Sequence, residues 1–289
     1  MVKAITFFSR TSLMPTYKPV ETFSYAEKPL AQVLDEHQRW LKGAGGRRAA
    51  LRGAALRGVD MSGVNLVGAS LREADLDSAC LNHADLRGAD LSNAHLDKAG
   101  LIKARLVAGN LEFASFIDAV STDADFTEAN LFRADLRGAG LNRAVLRGAN
   151  LRETDLRGAN LVQADLRDSC LVGAEMSKSV LSGADLSGAN LCRSRLVGAN
   201  LLGANLSRAN LHGADLTEAD LTDSLLMVSN LSCADLSGAA LNGACLDGAD
   251  LSGWALRGIC CTRLFLSETG EVISFDPGEF EKKIRKICW

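Results

Sequence analysis

The stretch that decides the fold is "ANLRETDLRGANLVQADL" (149–166), where leucine occupies positions 151, 156, 161 and 166. A five-residue step turns an α-helix by about 140° and sends successive residues of a flat strand to opposite faces, so neither element buries these leucines together. The step runs unbroken from Leu51 to Leu256, and 37 of its 42 positions are leucine. The chain must therefore bend after every unit, so that each leucine faces one central axis.

Two further columns accompany the leucines. Two residues before each leucine, alanine occupies 32 of 42 positions, and two residues after it, glycine occupies 19 of 42. Residues i−2 and i of an extended segment share a face, and glycine suits a corner that requires a positive φ. The sequence thus predicts a solenoid with leucine and alanine inside and a corner after every leucine.

The units "RADLRGAGL" (133–141), "GADLSGANL" (183–191) and "GANLLGANLSRANL" (198–211) resemble the A-(D/N)-L-x-x units of pentapeptide-repeat proteins. The resemblance implies an all-β solenoid, a right-handed quadrilateral parallel β-helix with four units, or 20 residues, per coil. Residues 49–258 then form about 10.5 coils. At roughly 4.8 Å per coil, the rod is about 50 Å long.

Short α-helical caps are predicted at both ends, because a solenoid must cover its edges. The N-terminal segment is 1–48, with a capping helix at about 29–42 that Gly43 terminates. The C-terminal segment is 259–289, where "RLFLSETGEVISF" (263–275) predicts a hairpin that turns at Glu268–Gly270.

A final helix is predicted over "DPGEFEKKIRKICW" (276–289), with Asp276 as its N-cap and Pro277 in its first turn. Its apolar side either packs on the last coil or forms a homodimer, as in tail-to-tail dimers of some family members. The candidate dimer contacts are Phe280, Ile284, Ile287 and Trp289.

Ser121 is the single polar residue in the leucine column. Phe116 and Phe126 occupy the units on either side of it. We predict that the two rings fill part of the space that a leucine at 121 would need, so that Ser121→Leu overpacks the interior.

The 20-residue coil also predicts outer columns. One consists mostly of asparagine, from Asn110 to Asn230, and suggests a hydrogen-bonded ladder. Another is a candidate acidic, partner-facing stripe, although nearby Arg137 and Arg157 would also explain it as a locally balanced wall. The stripe consists of Asp135, Asp155, Glu175, Asp215 and Asp235, with Arg195 between.

Apolar residues at outward positions, such as Leu202, Leu225, Met227 and Val228, are either scattered surface residues or a contact strip for a partner.

Composition narrows the function. The net charge of −3 gives no attraction to nucleic acid or anionic membranes, and no apolar run approaches the roughly 18 residues of a membrane span. Eight cysteines without a C-x-x-C pair predict no metal and no cofactor. The N-terminus lacks the apolar region of a signal peptide, which favours a cytoplasmic location and leaves a dedicated secretion system open.

The sequence contains no nucleophile elbow, phosphate-binding loop or zinc-protease motif, so an enzyme is not expected. The leading prediction is a non-catalytic scaffold that binds a protein partner. The family suggests an alternative, a DNA-mimicking modulator of DNA gyrase, and a secreted effector is a further alternative. The repeat carries a net charge of −7, whereas duplex DNA of the same length carries about 30 negative charges.

Overall fold

The structure, a computed structural model, describes residues 17–255, 257–265 and 272–274. From Ala50 onward, one residue of each five-residue unit forms a parallel bridge with the residue 20 positions later, from Ala50↔Ser70 to Cys245↔Phe265. Each rung has two bonds: Leu51 N donates to Ser70 O at 2.7 Å, and Ser70 N donates to Ala49 O at 2.9 Å. Four units therefore form each coil, as predicted.

The bridge residues define four walls. Wall 1 runs from Ala50 to Asp250, wall 2 from Ala55 to Ala255, wall 3 from Asp60 to Cys260, and wall 4 from Asn65 to Phe265. Consecutive walls meet at the two residues that follow each leucine, where the chain turns.

The interior is the leucine and alanine columns, as predicted. Interior leucines such as Leu141 and Leu221 are completely buried, as are alanines such as Ala139. Burial of one leucine side chain stabilises the fold by roughly 1.5–3 kcal/mol, so the stacked columns dominate its stability. Ser121 is also buried, and its Oγ has no hydrogen-bond partner among the described residues. The Phe116 and Phe126 rings pack edge to face, with centroids 6.3 Å apart.

Each corner has two residues, and the second of them has a positive φ at all 42 corners from Gly53 to Gly258. Glycine occupies 19 of these positions, and other residues occupy 23. The glycine column therefore marks the corners, as predicted. The other 23 residues adopt the same turn at a steric cost, because the side chain crowds the following carbonyl there. The hydrogen bonds of the ladder hold them in place; for example, Lys103 N donates to Thr122 O at 3.0 Å.

At the N-terminal edge, Lys18 forms a parallel bridge with Val59 and so extends wall 3 by one rung. A 3-10 turn at Val20–Thr22 follows, and then the two-residue strands β1 (Ser24–Tyr25) and β2 (Lys28–Pro29) pair antiparallel.

Helix α1 spans Leu30–Leu41, within the stretch where the sequence predicts a capping helix. Leu30 joins the interior of the solenoid, and the buried His37 accepts a hydrogen bond at Nδ1 from Ala49 N at 3.1 Å. Gln38 Nε2 donates to Asn65 O of the first coil at 2.9 Å. The helix thus pairs with edge groups of the solenoid and contributes Leu30 to its interior.

At the C-terminal edge, β3 (Arg263–Phe265) pairs antiparallel with β4 (Val272–Ser274), the two arms of a hairpin. Strand β3 is also a rung of wall 4, because Phe265 N donates to Ala244 O at 3.0 Å. The predicted turn at Glu268–Gly270 and the predicted helix at 276–289 lie outside the described residues, as do residues 1–16.

Candidate protein-binding surfaces

The candidate acidic stripe forms one continuous column on wall 2. Bridges connect its members in the order Asp135, Asp155, Glu175, Arg195, Asp215, Asp235. The structure therefore brings all five predicted acidic residues together on one face, with an arginine in the middle.

Most of this stripe is compensated by arginine. Arg137 lies 2.6 Å from Asp135, and Arg157 lies 2.5 Å from Asp155. Arg195 lies within 4 Å of both stacked neighbours, 3.7 Å from Glu175 and 3.8 Å from Asp215. The stripe therefore presents a mixed-charge ladder, and only Asp235 lacks a base within the described residues.

The pKa values agree with this pairing. Burial raises the pKa of Asp155, but hydrogen bonds from Arg157 outweigh it and leave that pKa below its usual value. On wall 4, the guanidinium of Arg167, together with Arg147, holds the pKa of Asp165 well below its usual range. These carboxylates stay charged and hydrogen-bonded, so their main effect is on the stability of the wall.

The asparagine column on wall 1 is a hydrogen-bonded ladder, as predicted. Asn150 donates to Asn130 at 2.9 Å, and Asn230 donates to Asn210 at 3.2 Å. Cys170 interrupts the column. The side-chain oxygens also accept bonds from the corner that follows, such as Phe132 N to Asn130 at 3.3 Å, which gives the asparagines a structural role.

Three consecutive outward side chains on wall 4 and the corner after it form the apolar patch: Leu225, Met227 and Val228. Leu225 is 40% exposed and Val228 is 62% exposed. Met227 and Val228 also line a shallow cavity of about 250 Å³ with Ser187, Ser207 and Arg208. The hydroxyl oxygen of Ser207 is buried there, without a hydrogen-bond partner among the described residues.

Val228 is also the least favourable residue for its backbone position. Its φ is +57°, a conformation that a β-branched side chain rarely adopts, and glycine occupies the stacked position 248. Val228 thus combines an unfavourable backbone conformation with an aliphatic side chain that is exposed to water. Such combinations are typical of functional surfaces.

A second feature is the charge of the coils that carry the apolar patch. Residues 209–256, here called the acidic zone, contain seven acidic residues and no lysine or arginine. Among the described residues, the only ion pair that reaches this zone joins Asp215 to Arg195. The carboxylates without an ion pair in that part of the chain are Glu218, Asp220, Asp223, Asp235, Asp247 and Asp250.

The net charge of the whole repeat does not reveal the acidic zone, and even residues 169–258, with five bases and nine acids, carry only −4. A scan for the longest stretch without a lysine or arginine finds it.

Sequence reasoning also missed an aromatic pair at the corner between walls 1 and 2. Phe113, 47% exposed, packs edge to face with Phe132 at 5.8 Å, and Arg133 lies 5.0 Å above the Phe132 ring. The two phenylalanines are 19 positions apart, close to the 20 residues of one coil. That spacing is the sequence signal that could have predicted their contact.

Two other predictions concern sites. The candidate dimer contacts Phe280, Ile284, Ile287 and Trp289 lie outside the described residues. Within the described ranges, no group of three or more His, Cys, Asp or Glu side chains is arranged to hold a metal ion. No helix in those ranges has the length and hydropathy to cross a membrane.

Comparisons with known proteins give the family. The family of pentapeptide repeats matches the sequence in eight copies, within residues 47–82, 81–112, 110–143, 144–183, 159–196, 184–223 and 229–253. No curated protein sequence matches significantly.

Among solved structures, the chain is similar to HetL, a pentapeptide repeat protein involved in heterocyst differentiation regulation in the cyanobacterium Nostoc sp. strain PCC 7120. The identity is 32%, over 82% of this chain and 97% of HetL, with a TM-score of 0.29. A pentapeptide repeat protein of the Arabidopsis thaliana thylakoid lumen is 32% identical over 32% of this chain and 62% of its own, with a TM-score of 0.28.

QnrB1, a plasmid-mediated fluoroquinolone resistance protein, is 22% identical over 56% of this chain and 89% of its own, with a TM-score of 0.34. The repeat matches cover most of residues 47–253, and the 20-residue coil is the structural counterpart of those repeats. The chain is therefore a member of the pentapeptide-repeat family.

Proposed function

We propose that this protein is a non-catalytic scaffold that binds a protein partner through the walls of its β-helix, and that the contact lies in the acidic zone. The observation that carries the proposal is the apolar patch, which is exposed between the carboxylates of Asp223 and Asp247 in the adjacent corners, with Arg208 in the corner of the coil below. Interfaces commonly have an apolar centre with a charged rim. The partner that fits this surface presents an apolar contact with basic groups opposite Asp223 and Asp247 and an acidic group opposite Arg208.

The structure supports a binding role over catalysis in how it uses its polar side chains. Asp220 accepts a hydrogen bond from Thr222 N at 3.0 Å, and Asp235 accepts one from Ser237 N at 2.9 Å. The abundant aspartates thus stabilise the corners of the solenoid. A ladder with parallel bridges on every wall is rigid, so a partner meets a preformed surface and little conformational entropy is lost on binding.

The proposal includes the finer features of the predicted architecture. These are a right-handed, four-sided coil, helical caps at both ends, segment boundaries at 1–48, 49–258 and 259–289, and a cytoplasmic location without direct binding of nucleic acid. The homodimer through the C-terminal residues remains a prediction. The mass of the full chain in solution tests it, and the mass of a single chain would contradict it.

The test compares two charge variants. In the zone variant, Asp220, Asp223, Asp235 and Asp247 become asparagine, which keeps the corner acceptors and removes four charges. In the matched control, Asp75, Asp97, Asp118 and Asp125, which form no ion pair among the described residues, become asparagine. A protein retained by immobilised wild type from a lysate of the source organism is identified, purified and titrated against all three forms.

We expect the zone variant to bind the purified partner at least tenfold more weakly and the control to bind as wild type does. Equal affinity of all three forms would show that the acidic zone is not the contact.

The linear charge density of the acidic zone favours the alternative function, a DNA-mimicking modulator of DNA gyrase. The seven carboxylates of the acidic zone are spread over about 2.4 coils, or roughly 12 Å at about 4.8 Å per coil. Duplex DNA carries about seven charges over that length, at one per roughly 1.7 Å. The zone therefore has the linear charge density of duplex DNA, although the whole repeat does not.

A supercoiling assay with purified gyrase separates the two functions. Dose-dependent inhibition, or protection from a quinolone, that the zone variant loses and the control keeps would support the mimic. Unchanged supercoiling at all concentrations would remove gyrase as the partner and leave the scaffold proposal standing.

A further inference from the structure

We propose that His37 is a pH-sensitive switch that keeps the N-terminal cap, residues 30–49, on the solenoid at neutral pH and releases it in acid. The switch is independent of the acidic zone, which lies near the other end of the repeat. Three observations carry it: the burial of the imidazole, the hydrogen bonding of its two nitrogens, and the charged groups around it.

The imidazole of His37 has no access to water. Its residue is 0% exposed, as is Leu30, which lies seven positions earlier on α1 and joins the interior of the solenoid. Residues seven positions apart share one face of a helix, so His37 lies on the face of α1 that turns towards the first coil. An imidazolium at this position would lose its hydration, which is costly for a buried charge.

The fold specifies the proton on the neutral ring. Ala49 N donates to Nδ1 of His37 at 3.1 Å, so Nδ1 carries no proton and the neutral ring is protonated at Nε2. That Nε2 is buried and has no hydrogen-bond partner among the described residues.

A second proton enters only at Nδ1, where it faces the N–H of Ala49. Protonation therefore breaks the hydrogen bond between His37 and Ala49 and leaves their N–H groups buried without acceptors. The ring of Trp40 stacks on the imidazole, with centroids 5.5 Å apart. Its face attracts a cation but offers no acceptor for either N–H. The hydrogen bonding of the closed cap is thus compatible only with neutral His37.

The charged groups around His37 add to this cost. Burial lowers the pKa of His37, and the guanidinium of Arg48 lowers it further. The two carboxylates of α1 are already held by bases, Asp35 by Arg39 at 3.0 Å and Glu36 by Lys28 at 2.9 Å. Among the described residues, including the 3-10 turn, β1, β2 and the first coil, no other charged group shifts this pKa.

These contacts determine the direction of the pH dependence. The pKa of His37 is below its usual value of about 6.5 in the closed cap, and it returns to that value when the cap opens and water reaches the ring. The open cap therefore binds more protons below pH 6.5, and the closed cap is fully favoured above it. Each pH unit below about 6.5 raises the ratio of open to closed cap by up to about tenfold, until the pH reaches the pKa of the closed cap.

Release of the cap changes the N-terminal edge of the solenoid. In the closed cap, Ala49 N is paired with His37, and Asn65 O accepts a hydrogen bond from Gln38 Nε2 at 2.9 Å. Opening removes both partners from the edge. An edge with unpaired backbone groups is a template for pairing with another chain, so acid makes this end of the rod available for association.

The test is hydrogen–deuterium exchange of the full chain at pH 7.5 and pH 5.5, followed by mass spectrometry, with exchange times corrected for the intrinsic rate. We expect peptides within residues 30–50 to be about tenfold less protected at pH 5.5, because the opening equilibrium shifts by that factor over one pH unit below about 6.5. Peptides within residues 181–200 should keep their protection. Equal protection of residues 30–50 at the two pH values would overturn the proposal.

Two variants separate His37 from other titrating groups. His37→Asn retains an acceptor for Ala49 N and does not titrate, so the pH dependence should vanish. His83→Asn is the matched control, because it replaces an exposed histidine at a corner with a φ of +62°, which asparagine tolerates, and it should behave as wild type does. A tenfold loss of protection that persists in His37→Asn would assign the effect to another group and contradict the switch.

A measurement on the wild type covers the case in which His37→Asn weakens the cap at both pH values. The four histidines are labelled with 15N, and long-range 1H–15N correlation spectra report which ring nitrogens carry a proton. We expect His37 in the Nε2–H form at pH 7.5, and we expect it to gain its second proton only together with the loss of protection. A doubly protonated His37 in a cap that stays protected would rule out the switch.

Discussion

Residues 131–168 and 209–256 share one coil geometry and differ in their outer charges. The first region has seven arginines and five acids, and four of those five carboxylates are held in ion pairs such as Arg167 to Asp165 at 2.6 Å. The second has seven acids, no base and an exposed aliphatic patch. Both interiors are stacks of leucines and small side chains, and a neutral asparagine can accept the same corner hydrogen bonds as an aspartate, so the fold does not fix the charge of these outer positions. The difference is therefore available for function.

The largest expected effect is on the free energy of unfolding. It tests whether the buried leucines contribute equally to stability in residues 131–168 and 209–256. Leu141→Asp and Leu221→Asp should each cost at least about 4 kcal/mol of unfolding free energy, because each loses leucine burial and buries a carboxyl without a partner. Urea unfolding followed by circular dichroism measures the loss.

Leu202→Asp, at a side chain that is 43% exposed, is the matched control and should change stability by less than about 1 kcal/mol. A large difference between the two interior variants would break the equivalence on which the comparison depends.

An intermediate effect concerns the arginine-paired region. Asp165→Asn should destabilise the protein by about 1–2 kcal/mol at pH 7, because it removes charge-assisted hydrogen bonds from Arg167 and Arg147. The pKa of Asp165 is lowered in the folded state, so its stabilisation is present above the unfolded pKa and is lost as the pH falls through the folded pKa. The gap between wild type and variant should therefore narrow as the pH is lowered from 4 towards 2.

Asp220→Asn in the acidic zone is the comparison, and it should show no loss at pH 7, because Asp220 has no basic partner there to lose. A gap for Asp165→Asn that stays constant with pH would show that its charge does not contribute.

The smallest effect concerns backbone strain at the centre of the acidic zone. Val228→Gly should raise the unfolding free energy by up to about 1 kcal/mol, because it relieves a positive φ that costs a β-branched side chain roughly that amount. Thermal unfolding measures it, with Ala108→Gly as the control, where the smaller side chain should give a smaller gain. A loss of stability in Val228→Gly would instead indicate that the valine makes contacts that outweigh its strain.

Much of the solenoid was predictable because each unit repeats the same local signals. The positions of Leu151 and Gly158 alone indicate an inward residue and a corner. Ion pairs two residues apart, such as Asp155 with Arg157, follow from the same local geometry. The pairing of Lys18 with Val59 was not predictable, because it joins an irregular segment to a coil edge 41 positions away and no periodicity marks it.

The candidate site was predictable only in part. Leu225, Met227 and Val228 are visible in the sequence as outward apolar residues, and the acidic zone is visible as a run without a base. Their significance depends on the exposure of the apolar side chains and on which charged side chains of the adjacent coils lie beside them, such as Arg208 beneath Val228, which the linear sequence does not display.

The sequence alone determined the coil, the buried columns and the corners, because those features depend on interactions within one unit and on its repetition every five residues. The tertiary structure decided which carboxylates are neutralised, how far Val228 protrudes and where the chain leaves wall 4. The physical reason is that each of these depends on residues one or more coils away, which stacking brings within hydrogen-bonding or contact distance and which no single unit encodes.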